Sequence, residues 1–284
     1  MATAVPLPAH EARLRAELAA LVEYEELELP LLPGAASQVL ERCSSNSCDA
    51  RELSDTIQND VALAGHVLRV ASSALWAPSE PIVSLVQAIS RLGFDTVRDI
   101  AVGVASRARV FTVPCFERLT AQIWRHSVLT ASWAREIARE RRRGVEGAFL
   151  AGLLHDIGRP VVLQVAVDLA GAQERKLGEH EAIALTDEFH AGVGALLLAR
   201  WKLPASFAVV ARAHHSPHTV KDHAEIVACV ALADALAHLE DDDVDEKQRI
   251  ASLPILATLG LYADELEGLI ARTRTVIDLA GTFA

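Results

Sequence analysis

Histidine and aspartate side chains with metal-binding chemistry collect in the second half of the chain. Nine of the eleven histidines lie after residue 120. The informative positions are His126, the pair His155-Asp156, His190, the pair His214-His215, and Asp234. Their spacing from apolar neighbours on helices predicts that each faces the protein interior.

An inward aspartate is costly unless it is paired or bound to a cation. Several inward polar groups on different helices could offset that cost jointly by enclosing a metal ion, and imidazole with carboxylate suits Fe, Mn or Zn. For any single histidine, the alternative is a core residue that is hydrogen-bonded to a backbone carbonyl. The adjacent pair His155-Asp156 is the rarer feature, and the set as a whole favours a metal site.

Helices must position these side chains, because apolar residues recur at helical spacing along most of the chain. The prediction is an all-α fold of two packed helical subdomains that meet near residue 115, preceded by an N-terminal helix in residues 1–28. The stretch from Val161 to Val167 alone looks strand-like, and one strand cannot make a sheet. Helices are predicted near residues 9–28, 34–43, 50–59, 60–73, 82–91, 94–110, 116–142, 146–157, 180–200, 204–214, 222–239 and 262–280.

Composition and charge narrow the classes of function. With 51% hydrophobic and 5% aromatic residues among 284, the chain can bury a large aliphatic core. The formal net charge of -11 repels phosphate backbones, so we predict no direct nucleic-acid binding and no binding to anionic membranes. We find no run of about 18 apolar residues that would span a bilayer. The four cysteines form no CxxC pair, which indicates reduced thiols and a cytoplasmic location.

Residues 151–159, with His155-Asp156 at their centre, resemble the HD signature of the HD phosphohydrolase superfamily. Residues 124–127 resemble the segment that carries that family's first metal-binding histidine, and residues 231–234 the segment with its last aspartate. The resemblance implies that a metal is held by His126, His155, Asp156 and Asp234. It also implies that a second metal could bind through the extra histidines of HD-GYP-type members, which are matched here by His190, His214 and His215.

The N-terminal half resembles HDOD domains, which are related to the HD phosphohydrolases. This resemblance covers about residues 25–240 and implies an HDOD N-terminal helical subdomain in residues 29–114 and an HD-type helical bundle in residues 115–284. It rests on the order and spacing of the segments at residues 29–33, 60–63, 71–74, 88–93, 190–195 and 201–204, which read LPLLP, DVAL, ASSA, AISRLG, HAGVGA and WKLP.

The sequence departs from these family patterns at several positions. Val61 replaces the usual proline, and Ser72 replaces the usual asparagine. The HD signature usually ends in lysine, and here Arg159 takes that position, which makes Arg159 the candidate phosphate contact with a changed shape and reach. No GYP segment follows His214-His215, which argues against hydrolysis of cyclic-di-GMP.

The resemblance leaves three hypotheses for function. HDOD domains are usually regarded as signalling modules, so we favour a signal transduction or regulatory protein that binds a signalling protein partner. The alternative is a metal-dependent phosphohydrolase acting on a phosphodiester or phosphomonoester. In the third, the buried polar cluster merely fixes helix register. No nucleotide cofactor is predicted, and metal content and phosphodiester turnover distinguish the three.

Overall fold

A computed structural model describes residues 8–45, 48–73, 82–239 and 244–281 of the chain. These residues form helices and connecting turns without a strand, so the predicted all-α fold is confirmed. The helices are α1 (Ala9–Glu23), α2 (Gly34–Cys43), α3 (Ala50–Ile57), α4 (Val61–Ala71), α5 (Leu85–Leu92), α6 (Phe94–Arg109), α7 (Glu117–Arg141), α8 (Val145–Leu154), α9 (Gly158–Ala172), α10 (Glu179–Arg200), α11 (Ala205–Ala213), α12 (Ala224–Ala237), α13 (Val244–Ala251), α14 (Ile255–Leu259), α15 (Ala263–Ile270) and α16 (Thr273–Ala280).

Side-chain caps explain where several of the N-terminal helices begin. Asp49 accepts hydrogen bonds from the backbone N–H groups of the first turn of α3. Asp60 caps α4 in the same way through the N–H of Leu63, and Ser84 caps α5. Such caps satisfy donors that the helix itself leaves open. Part of the predicted ASSA segment, Ala74, lies outside the described residues.

The second half is organised around α7, a helix of 25 residues. It packs against α8, α12 and α16, while α10 packs along α9 and α11. One buried apolar core continues from Leu14 on α1 to Val276 on α16 and includes the fully buried Trp133. Because α6 packs on α8 and α1 packs on α9 and α10, the division into residues 1–28, 29–114 and 115–284 remains a prediction.

Two glycines allow the closest helix approaches near the histidines. A Cβ atom added at Gly152 on α8 would lie 2.8 Å from the Cα atom of Ala131 on α7. A Cβ atom added at Gly158, the first residue of α9, would lie 2.0 Å from the carbonyl oxygen of His190 on α10. Both distances are far below van der Waals contact, so any side chain at either position would push the helices apart.

The structure differs from the predicted elements in the middle of the chain. The strand-like stretch from Val161 to Val167 lies within α9, where Val161 and Val162 are buried. Two helical stretches, Gly147–Ala172 and Glu179–Arg200, are long and apolar enough to cross a membrane by length and composition, and 78% and 50% of their apolar windows are buried inside the protein. Buried core helices share this length and composition.

Candidate metal centre

Three of the predicted ligands meet where α7, α8 and α12 converge. The Nε2 atom of His126 lies 3.0 Å from Oδ1 of Asp234 and 3.3 Å from Nε2 of His155. Asp234 Oδ1 lies 3.8 Å from His155 Nε2. One ligand atom from each residue therefore falls within 4.8 Å of the others, which is the spacing of side chains that share one ion. We call these three residues the open group.

The other four residues meet between the start of α9 and the helices α10 and α11. Asp156 Oδ1 lies 3.3 Å from Nε2 of His190 and 3.4 Å from Nε2 of His214. His215 Nε2 lies 3.1 Å from His190 Nε2. Their ligand atoms also lie within 4.8 Å of one another. Asp156, His190 and His214 are buried whereas His215 is exposed, and we call these four residues the closed group.

Asp156 links the two groups, because its carboxylate oxygens face different neighbours. Oδ1 faces the imidazoles of His190 and His214, while Oδ2 lies 3.7 Å from His155 Nε2 in the open group. All seven residues thus belong to one cluster. The ligand atoms that lie within 4.8 Å of one another form two sets, and Asp156 falls in the set with the histidines of α10 and α11. That His126, His155, Asp156 and Asp234 hold one ion together remains a prediction.

Backbone hydrogen bonds fix the tautomers of three histidines in the cluster. The Nδ1 atoms of His155, His190 and His214 lie 2.6, 2.8 and 3.0 Å from the carbonyl oxygens of Gly152, Thr186 and Ala211. A carbonyl oxygen only accepts, so each Nδ1 carries the proton and donates it. Each Nε2 atom is then a lone-pair donor that points into the cluster, as in metal-ligating histidines generally.

Two buried polar atoms in the closed group have no hydrogen-bond partner in the described part of the chain, namely Asp156 Oδ1 and His214 Nε2. A buried polar atom without a partner costs about 1–3 kcal/mol. These two atoms lie 3.4 Å apart, and with the His214 proton on Nδ1 both are acceptors, so no hydrogen bond joins them. A cation between them would satisfy both, so the residues present fit a metal ion.

Comparison with known proteins identifies the family of the chain. The chain matches the HDOD domain over residues 29–217, well over half of its length. The chain belongs to the HDOD domain family. A protein of Treponema pallidum (strain Nichols), called an uncharacterized protein, is 24% identical to it over 246 residues, which cover 84% of this chain and 47% of the relative. The chain thus spans about half the length of that relative.

Solved structures share the HDOD chain's fold over nearly its whole length. A "Putative metal-dependent phosphohydrolase" from Shewanella amazonensis SB2B has a TM-score of 0.77 at 20% identity and covers 98% of this chain and 100% of its own. A "Putative signal transduction protein" from Marinobacter aquaeolei VT8 has a TM-score of 0.67 at 23% identity, covering 99% of this chain and 67% of its own. At these identities the likeness shows the fold alone.

Charges within the cluster of seven residues set the protonation states that metal binding requires. Burial alone would raise the pKa of Asp156, but His155, His214 and Arg159 outweigh it and hold that pKa well below its usual range. The pKa of Asp234 is also lowered, because His126 and His155 outweigh its burial.

The imidazoles of the cluster respond to the same environment. Burial lowers the pKa of His155 to about 4 and that of His215 to about 4. For His214, the carboxylates of Asp156 and Asp234 outweigh burial and raise the pKa. At neutral pH the carboxylates are therefore anionic while His155 and His215 are neutral, and these are the states that bind a divalent cation.

Arg159, the candidate phosphate contact, is held by two carboxylates. Its Nε atom donates to Asp156 Oδ2 at 2.6 Å, and its NH1 group donates to Asp187 Oδ1 at 2.5 Å. The guanidinium still lines the cavity over the cluster. In this arrangement Arg159 orients Asp156 from outside, and contact with a phosphate would compete with these ion pairs.

A cavity of about 630 Å³ opens onto the cluster. Its walls include the candidate ligands His126, Asp156, His215 and Asp234, the cations Arg125 and Arg159, and the apolar residues Ile123, Leu129 and Ile277. Two residues of the open group, His126 and Asp234, and two of the closed group, Asp156 and His215, therefore face a space large enough for a small molecule. Asp234 and Ile277 lie beyond residue 217, where the family match ends.

Sequence reasoning did not include His238 or Asp187 in the site. His238 Nε2 lies 3.6 Å from Asp234 Oδ1, and its ring stacks on that of His126 with centroids 4.6 Å apart. The signal was its position four residues after Asp234, because residues four apart share a helix face. Asp187 gave no comparable signal, since it lies 28 residues from the Arg159 that it contacts.

Proposed function

We propose that this HDOD protein is a cytoplasmic regulatory protein whose metal centre holds one or two transition-metal ions and which acts by binding a signalling protein. One observation carries the metal part of the proposal: three buried histidines donate from Nδ1 to backbone carbonyls and turn Nε2 toward Asp156 or Asp234. If the buried polar cluster only fixed the register of the helices, each of its polar atoms would need a hydrogen bond. Asp156 Oδ1 and His214 Nε2 lack such partners among the described residues.

The donor set indicates the class of ion. Five imidazoles and two carboxylates suit Fe, Mn or Zn, whereas hard cations such as Ca²⁺ prefer oxygen ligands. The open group supplies three protein ligands beside the cavity, and the closed group supplies four. Asp156 would stand between two ions if both groups were filled, with Oδ1 toward the closed group and Oδ2 toward His155.

The ion pairs of Arg159 favour regulation through a protein partner over catalysis. Its guanidinium is already paired with Asp156 and Asp187, which opposes its use as a phosphate clamp. The net charge of -11 favours a basic or neutral protein surface as the partner over a nucleic acid or an anionic membrane. The name of the Marinobacter structure, a signal transduction protein, is consistent with this function.

The second candidate is a metal-dependent phosphohydrolase, which the cavity of about 630 Å³ beside the open group favours. Three ligands with an accessible position are typical of catalytic sites, whereas four are typical of structural ones. The chemistry that a bound ion supplies there is Lewis-acid polarisation of a phosphoryl oxygen. Arg125 on the cavity wall could bind a phosphate without breaking the Arg159 ion pairs.

Metal analysis and turnover together test the proposal. The protein is purified without chelator or metal-affinity resin, and its metal content is measured by mass spectrometry. The loaded protein is then assayed with bis(p-nitrophenyl) phosphate and p-nitrophenyl phosphate. We expect one to two equivalents of Fe, Mn or Zn and no turnover above that of the free ion.

Two variants make the outcome decisive. His126→Ala removes an open-group ligand, and His218→Ala is the control because His218 is exposed and outside both groups. Metal-dependent turnover that is lost in His126→Ala and kept in His218→Ala would establish the phosphohydrolase. Absence of any stoichiometric transition metal, with no rise in melting temperature on adding manganese, iron or zinc, would contradict the metal centre itself.

A further inference from the structure

A second cavity, of about 370 Å³, lies where α4 and α6 meet α7 and α8. It contains none of the seven candidate metal ligands, and its volume falls in the range of small-molecule pockets. We call it the seam cavity. The lining residues that matter for its chemistry are His66, Asp99, Gly103, Arg107, Trp124 and Phe149.

One face of α6 forms the long side of the seam cavity. Asp99, Gly103 and Arg107 follow one another at intervals of four residues, so they lie in a line along the helix. Eight residues at a rise of about 1.5 Å each separate the ends of this line by about 12 Å. Gly103 has no side chain to fill the middle, and the aromatic residues Trp124 and Phe149 also line the space.

The two ends of this line differ in charge and exposure. Arg107 is exposed, and its guanidinium lies 5.5 Å from the centroid of the Trp124 ring. Asp99 is buried, and its ion pair with Arg98 is long, at 3.5 Å. His66 adds no positive charge at neutral pH, because burial together with Arg69 and Arg107 lowers its pKa to about 4. The seam cavity is thus cationic at its entrance and acidic at its inner end.

An unsatisfied donor lies in the same wall. The indole Nε1 of Trp124 is buried and has no hydrogen-bond acceptor within the ranges that the structure describes. A buried donor without an acceptor is uncommon in folded proteins. This N–H group has almost no accessible surface, so a molecule in the seam cavity would contact the ring of Trp124 and not its donor.

We propose that the seam cavity binds a small elongated carboxylate, with its anionic end on Arg107, its aromatic or branched body on Trp124, and a hydroxyl or amide at the other end hydrogen-bonded to Asp99. A guanidinium recognises a carboxylate through paired hydrogen bonds, and the aromatic walls bury an apolar body. A cationic ligand is disfavoured, because it would have to pass the guanidinium of Arg107.

Binding of matched probes tests this site with the full chain. The probe is 3-(4-hydroxyphenyl)propionate, measured by isothermal titration calorimetry in EDTA, so that the result does not depend on the metal centre. Its amide, its hydroxyl-free analogue 3-phenylpropionate and the amine 4-(3-aminopropyl)phenol share the same body. We expect the hydroxylated carboxylate to bind tightest, and the amide and the amine to bind about tenfold or more weakly.

Two variants locate the binding. Arg107→Gln should weaken the carboxylate about tenfold and leave the amide unchanged, while the exposed Arg212→Gln on α11 should change neither. Ala108→Trp should block all probes, because Ala108 is an exposed residue of the cavity wall. The matched control is Ala257→Trp on α14, where the alanine is also exposed.

Three results would overturn the proposal. The first is that the amine binds as tightly as the carboxylate, since the entrance would then not select an anion. The second is that Ala108→Trp, folded by circular dichroism, still binds the probe with unchanged affinity. The third is that none of the probes binds at millimolar concentration.

Discussion

Two aspartates are buried to a similar degree in different regions, and their carboxyl groups respond in opposite ways. Asp156, in the candidate metal centre, is 4% exposed, and Asp99, in the seam cavity, is 8% exposed. The pKa of Asp156 lies well below its usual range, whereas burial raises the pKa of Asp99 to about 7. Burial favours the neutral form at both positions, so the neighbours decide the outcome.

The neighbours of the two carboxyl groups differ in number and geometry. Asp156 has Arg159 at 2.6 Å and the imidazoles of His190 and His214 at 3.3 and 3.4 Å. Asp99 has Arg98 at 3.5 Å as its nearest ion-pair partner in the described residues. The first region is therefore built to keep an anion at neutral pH, which a cation-binding site needs. In the second region burial outweighs the neighbours, so the carboxyl group of Asp99 keeps its proton up to about pH 7.

The largest expected effect on stability comes from substituting a glycine in each region, which compares how tightly the two regions are packed. In Gly158→Ala the new Cβ would lie 2.0 Å from the carbonyl oxygen of His190 and 2.6 Å from the N atom of Gly194, and both are backbone atoms. The helices would have to separate, so we expect a loss of about 3 kcal/mol in the free energy of unfolding. Urea denaturation followed by circular dichroism measures it.

Gly103→Ala is the corresponding change in the seam cavity. Its Cβ would lie 3.2 Å from Cδ2 of Leu153, the end of a flexible side chain that can move. The gain in helix propensity, about 1 kcal/mol, should largely offset the contact. Gly171→Ala, with nothing within 4 Å, is the control on α9. A loss in Gly103→Ala as large as in Gly158→Ala would show that the seam is packed as tightly as the metal centre.

The next effect concerns the charge of Asp156. Asp156→Asn removes the anion that faces both ligand groups, so the protein should lose the rise in melting temperature that added manganese, iron or zinc gives the wild type. That rise corresponds to about 2.7 kcal/mol when the free ion is at about 100 times its dissociation constant. Differential scanning fluorimetry with and without EDTA measures it.

The control for this experiment is Asp168→Asn, at an exposed position on α9 where the carboxylate accepts from Gln164. It should respond to metal like the wild type. If Asp156→Asn still shows the full metal-dependent rise, the ion binds somewhere other than the cluster, and the contrast between the two buried aspartates has no functional meaning.

A third test uses the raised pKa of Asp99. The folded-state pKa, about 7, exceeds the ordinary value of 3.8 for a free carboxyl, so the folded protein binds the extra proton between these values. The free energy of unfolding therefore falls as pH rises through that window. An asparagine side chain carries no charge, so Asp99→Asn should gain about 2 kcal/mol relative to the wild type between about pH 5.5 and about pH 8.5.

Denaturant titrations of both proteins at the two pH values measure this gain. Asp55→Asn, at an exposed position on α3, is the control and should show no such pH-dependent difference. An equal stability difference at both pH values would mean that Asp99 is ionised throughout, and the seam would then resemble the metal centre in its charge.

The sequence predicted much of the fold and part of the centre, for physical reasons that particular residues illustrate. Helical spacing and the prolines identified most helices, but α9, α13 and α14 were missed. The run from Val161 to Val167 in α9 contains four valines, which have strand propensity. Packing against α10 overrides that propensity. His155-Asp156 was identifiable because the pair lies in a motif, and the structure brings it together with the other candidate ligands.

The division of the ligands into two groups was not predictable from spacing. It depends on which way each oxygen of Asp156 points, and that is fixed by the close approach of α9 to α10 at Gly158 and by the ion pair with Arg159. The seam cavity gave no sequence signal either. Its lining comes from four helices and one connecting segment that are distant in sequence, so no local spacing identifies it.

The smallest expected effect lies at the edge of the metal centre. His238 lies 3.6 Å from Asp234, but its side chain is 66% exposed while that of Asp234 is 17% exposed. Solvent screens such a contact, so His238→Ala should change the free energy of unfolding by no more than about 0.5 kcal/mol. It should also keep the full metal content, because His126 and His155 already surround the carboxylate.

Mass spectrometry measures the metal content of His238→Ala. The comparison variant is His126→Ala, which is expected to lose the ion of the open group. If His238→Ala lost as much metal as His126→Ala, His238 would be a fourth ligand of the open group. The exposure of a histidine side chain would then not distinguish a metal ligand from a residue that only lies beside the site.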